Sequence, residues 1–136
     1  MRLAALSMFT IILTACAAQQ PSEVDEEEQA VIDFIEIRGL AEVDKIRAND
    51  SSGWDKITRK FIIFNTRRDR FLMQFARDCR ELDDNTNIVA DVRHDPNTIN
   101  ARFDTLRGCR IDKIYALNEA EAAELLQIGE APGSRN

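Results

Sequence analysis

The chain is short of the residues most enzymes rely on: 136 residues hold one histidine, His94, three cysteines and five glycines. A hydrolase built on nucleophile, base and orienting acid would have to use His94 as its base. The serines outside the N-terminal segment, Ser22, Ser51, Ser52 and Ser134, fall in linker, turn and tail, and none sits in a nucleophile-elbow context. The glycines are all isolated, so there is no phosphate cradle. No Cys-x-x-Cys occurs, and His94, flanked by Arg93 and Asp95 ahead of Pro96, reads as an exposed loop residue, not a ligand. Carboxylate pairs are always available among 24 acidic residues, so their presence decides nothing. The expectation is a protein that is not an enzyme, with no catalytic residue, cofactor or metal site.

Positive charge is also scarce, with 18 Lys and Arg against 24 acids and a net charge of -6. That argues against nucleic acid, whose binders are basic. The chain also lacks a membrane-spanning run: from Leu3 to Ala18 sixteen residues are uncharged, fewer than the ~18 a spanning helix needs.

What that segment does have is a signal-peptide pattern. Met1 and Arg2 form a minimal basic start, Leu3 to Leu13 an eleven-residue apolar stretch, and small residues follow. Leu13-Thr14-Ala15-Cys16 resembles the lipobox of bacterial lipoproteins, in which the cysteine becomes the first mature residue and carries acyl chains. On that resemblance Cys16 is the lipidation site and the membrane the first partner. Several chains together anchor stably where one is marginal. Ala17, and not Asp, after the cysteine implies the outer membrane, with the domain facing the periplasm.

Removing residues 1–15 leaves 121 residues and, with Arg2 gone, moves the net charge from -6 to -7. With Cys16 acylated, Cys79 and Cys109 remain as a pair in a compartment where disulfides persist. A bridge closing a loop of about 30 residues stabilises by about 3 to 4 kcal/mol on the chain-entropy model.

Residues 16–28 read as an acidic tether ending in Asp25-Glu26-Glu27-Glu28, residues 29–128 as one globular domain, and residues 129–136 as a flexible tail. Val31, Ile32, Phe34, Ile35 and Ile37 recur as one broad helical face, predicting a helix that starts between Ser22 and Gln29 and ends near Arg38 at Gly39. A buried strand over residues 32–37 is the alternative, since β-branched residues are frequent there. Asn49-Asp50-Ser51-Ser52-Gly53 reads as a turn. Phe61-Ile62-Ile63-Phe64 and Phe71-Leu72-Met73-Gln74-Phe75 read as a hairpin with Arg67-Arg68-Asp69 at its tip. Arg67, Arg68 and Arg70 suggest an anion site, but a solvated turn is the simpler reading.

Asp83, Asn85 and Asn87 copy the start of a calcium loop. Ile88 stands where its glycine belongs and His94 where its glutamate belongs, so the motif fails. Residues 88–92, 101–104 and 111–117 read as further strands, the last two around a turn at Gly108. Asn118 with Glu121 forms a capping box for a final helix that Gly129 ends.

Trp54, the hairpin to Phe75, Cys79 with Leu82, Ala101-Arg102-Phe103-Asp104, and Cys109-Arg110-Ile111 with Ile114 and Leu117 together resemble a family of small proteobacterial lipoproteins with a domain of unknown function. The likeness spans residues 29–117 and rests most on the paired cysteines. The segment from Asp104 to Cys109 is short against that pattern, and Asn118 stands where an acidic residue is usual. The resemblance implies a common small fold and a cell-envelope address, and no activity.

The expected fold is mainly β, an α+β class: a small antiparallel barrel or sandwich of about five or six strands with a helix at each end. The expected role is a non-catalytic periplasmic binding or adaptor module whose partner is an envelope protein or glycan. The alternative is an inhibitor of a cationic hydrolase such as a lysozyme, suggested by the acidic charge, the small size and the bridge.

Overall fold

Phe61-Ile62-Ile63-Phe64 is buried at all four positions, which a strand achieves only when both faces of its sheet are covered. The computed structural model describes residues 23–48, 51–83 and 97–129, and it shows what covers them. In chain order the elements are α1 (Glu23–Arg38), β1 (Lys45–Arg47), β2 (Ser51–Lys56), β3 (Phe61–Thr66), β4 (Arg70–Phe75), a 3-10 turn (Arg80–Leu82), β5 (Thr98–Asn100), β6 (Thr105–Leu106), β7 (Cys109–Leu117) and α2 (Glu119–Gly129). Five strands form an antiparallel sheet in the order β2-β3-β4-β7-β6, and β1 pairs with β5 in a second, two-stranded sheet. The class is mainly β, α+β, with a helix at each end, as the residue pattern predicts.

Alternation divides the core in two. Phe61, Ile63, Leu72 and Tyr115 point to one face, where Val31 and Phe34 of α1 and Ala122 and Leu125 of α2 cover them. Ile62, Phe64, Met73, Phe75, Ile111 and Ile114 point to the other, capped by Ile46 and Ile99 of the small sheet and by Cys79, Leu82 and Cys109. This second face is concave. Trp54 on β2 and Arg107 just after β6 sit at opposite edges of the sheet order, yet the Arg107 guanidinium lies 5.9 Å from the Trp54 ring. The sheet therefore curls far enough for its two edges to meet.

Local chemistry explains the element ends. Gly39, at φ +59°, closes α1 through Leu40 N–H donating to the Ile35 carbonyl and Gly39 N–H to that of Glu36, a Schellman ending. Asn118 Oδ1 accepts from Glu121 N–H and Glu121 Oε2 from Asn118 N–H, both at 2.8 Å, so the capping box at α2 is present. Leu106 pairs with Cys109 across Arg107-Gly108, both at positive φ, the two-residue turn that matches strand twist. That tight turn accounts for the short segment between Asp104 and Cys109.

The helix predicted to start between Ser22 and Gln29 and to end near Arg38 is α1, and its start at Glu23 makes the acidic stretch Glu23 to Glu28 helical. Two sequence readings change. Ser51, Ser52 and Gly53 are strand and not turn, because a bulge between Ser51 and Gly53, with Gly53 at φ +123°, absorbs the extra residue. Residues 101–103 are a turn, not a strand: Arg102 sits at φ +70°, and buried Asp104 accepts from Asn100 N–H at 2.6 Å and from Asn100 Nδ2 at 3.0 Å. Gly129 is the last residue of α2. The expected strand at 88–92 lies outside the described residues.

Candidate functional site

Helix α1 does not cover its sheet face completely. Beyond the contact of Phe34 the helix and the sheet leave a cleft of about 330 Å³, lined by Ile32, Ile35 and Glu36 of α1, Gln74 of β4, and Lys113 and Tyr115 of β7. That volume is at the small end of the range typical of ligand sites.

A second bulge places one of these side chains. Gln74 pairs with Lys113, but Phe75 pairs with Ile111, so Asp112 is the extra residue. In a regular strand Lys113, two residues on, would fall on the same face as Ile111, in the apolar interior, by the period of two. With the bulge, Lys113 faces the helix side, and its ammonium comes within 3.8 Å of Glu42, which also accepts from Arg102 at 3.1 Å. Burial pushes the Tyr115 phenol above its ordinary value of 10.0, an effect that Lys113 partly opposes. The hydroxyl is therefore protonated at neutral pH.

The cleft thus offers an apolar wall of two isoleucines facing an ammonium, an amide, a phenol and a carboxylate. These groups can hold an amphipathic segment.

The bridge forms a second cluster. Cys79 and Cys109 are joined with a Cα–Cα distance of 5.8 Å, and both are fully buried. Glu81 Oε2 lies 3.1 Å from Cys109 Sγ, and Arg77 donates to Glu81 Oε1 at 3.4 Å. The hydrogen bond to its own backbone N–H, and then Arg77, hold the Glu81 carboxyl below its ordinary value. A bridged sulfur has no proton to donate and is a poor ligand, so in this state the cluster is structural.

Asp83 is engaged as well. Its two oxygens accept from Lys56 at 2.8 Å and Arg59 at 3.0 Å, and the hydrogen bond from Lys56 is the main cause of its lowered pKa. It clamps the 3-10 turn to the β2–β3 corner and is not free to begin a calcium loop. At the hairpin tip, Thr66 Oγ1 accepts from Asp69 N–H at 2.9 Å, and Arg70 pairs with Glu119 at 3.5 Å. Arg67 and Arg68 are exposed there, as a solvated turn requires.

Of the sequence-predicted positions, Cys79 and Cys109 are brought together, while Cys16 and His94 lie outside the described residues. The cleft was missed. The only trace it leaves in sequence is polarity out of place: Gln74 within Phe71-Leu72-Met73-Gln74-Phe75, and Lys113 between Ile111 and Ile114.

A model for a family of unknown function (DUF6491) matches residues 1–130. No curated protein and no solved structure matches the chain.

Proposed function

From the premise that the chain belongs to this family of unknown function, we propose that it is a lipid-anchored binding module of the cell envelope, held by acyl chains on Cys16 and facing the periplasm. The observation that carries the reading is the Cys79–Cys109 bridge. It uses two of three cysteines, fits an oxidising compartment, and leaves the cysteine that closes the Leu13-Thr14-Ala15-Cys16 tetrad for lipid. Attachment has a direct readout: Cys16→Ala is expected to shift the protein from the membrane to the soluble fraction and to abolish labelling by a fatty-acid probe. Unchanged fractionation disposes of the anchor.

The cleft is the surface through which the module docks an envelope protein or glycan. Its mixed lining supports this, since two isoleucines exclude water beside groups able to hydrogen-bond a polar chain. A photo-crosslinking residue placed at Glu36, on the rim, is expected to capture a specific partner in intact envelopes that the same residue at Arg68 does not. Equal or absent capture at both positions removes the cleft from the reading and leaves the anchor standing.

A further inference from the structure

The bridged corner contains more chemistry than a disulfide needs. Cys79 begins the 3-10 turn, Glu81 lies within it, and Cys109 faces both from the first residue of β7. One ligand atom from each of the three lies within 4.8 Å of the others. We propose that reduction of the Cys79–Cys109 bridge turns this corner into a cation site of two thiolates and one carboxylate, Cys79, Cys109 and Glu81, for a thiophilic divalent ion such as Zn²⁺.

The geometry is close to what such an ion needs. At about 2.3 Å to sulfur and about 2.0 to 2.2 Å to oxygen, a tetrahedral ion spaces its ligand atoms about 3.5 to 3.8 Å apart. Glu81 Oε2 already stands 3.1 Å from Cys109 Sγ, so the carboxylate needs only a small retreat once the sulfurs part. Arg77 engages Oε1, the other oxygen, and so directs Oε2 at the sulfur. This is the arrangement in which an outer partner orients a ligand. Both sulfurs are buried and Glu81 is exposed, which leaves the fourth position to water.

The chemistry balances with a dithiol as reductant. The dithiol loses two electrons and two protons and becomes a disulfide, while the Cys79–Cys109 bond breaks and each sulfur takes one electron and one proton. Ion binding then forms two bonds to sulfur and one to oxygen, and releases the two thiol protons to solvent. An ion that binds the folded reduced chain and not the unfolded one stabilises it by mass action, so the ion can replace part of the tie that reduction removes.

The test uses the full chain, reduced anaerobically with a phosphine, which takes up water oxygen as its oxide, and then titrated with Co²⁺ as a spectroscopic stand-in. One equivalent is expected to produce thiolate-to-cobalt charge-transfer and tetrahedral ligand-field bands, which Zn²⁺ abolishes. The unreduced chain produces neither. Glu81→Gln, whose bridged form reports on folding, weakens Co²⁺ binding about tenfold or more. A Cys79→Ser/Cys109→Ser variant, which retains Cys16, shows no charge-transfer band. Zn²⁺ raises the melting midpoint of the reduced chain, or restores its cooperative transition where reduction alone abolishes it. A reduced chain without the bands, a Glu81→Gln chain binding as tightly as the parent, or a midpoint indifferent to Zn²⁺ overturns the proposal.

Discussion

Asp83 holds two cations with one carboxylate, and its pKa is lowered in the fold, so its contribution depends on pH in a defined direction. A depressed carboxylate stabilises above its unfolded value and loses that contribution as pH falls through the folded value. The side chain is 37% exposed, and solvent screens pairs of this kind, so the effect is modest. Asp83→Asn is expected to lower the urea midpoint at pH 7, with the gap from the parent closing as pH falls below 3.8. A gap constant down to pH 2 removes the ionic explanation. Asp83 also shows why single residues mislead in sequence. The residues after it gave only a failed calcium motif, whereas its partners, Lys56 and Arg59, come from 24 to 27 positions earlier.

Gly129 is the residue on which α2 meets the β2–β3 corner. A Cβ there would stand 3.0 Å from both the Cα and the carbonyl oxygen of Ile57, and backbone cannot give way cheaply. Gly129→Ala is expected to destabilise by about 1 to 3 kcal/mol, as overpacking of a close contact does, despite the better helix propensity of alanine. An increase in stability by denaturant unfolding contradicts that contact. The sequence showed Gly129 as a stop signal and could not show a packing one. Elements with strong local chemistry were legible: the Gly39 ending, the Asn118–Glu121 box, and the hairpin with its apolar arms. Strands β1 and β5, Lys-Ile-Arg and Thr-Ile-Asn, each bury a single isoleucine, and one residue has no period to read. The turn at 101–103 looked like strand because β-prone Phe103 suggests burial, yet it is 78% exposed.

At the scale of the molecule the bridge ties the 3-10 turn after β4 to β7, over a separation of 30 residues. Reduction is expected to cost about 3 to 4 kcal/mol and, in a domain of this size, to lower the melting midpoint by more than 10 °C in the absence of added metal. A midpoint unmoved by reductant shows that the bridge does not carry stability. The pairing was legible from cysteine parity. The curl of the sheet and the cleft were not, since Trp54 meets Arg107, and Ile32 faces Tyr115, only after distant elements fold together.

The start of α1 at Glu23 also sets a leash. Thirteen free residues from Cys16 would reach about 45 Å when fully extended, whereas the seven before Glu23 reach at most about 25 Å. On the proposed anchor, the domain patrols a shell one small protein deep above the lipid. On that same proposal, whatever it grips must come within this distance of the membrane to be held.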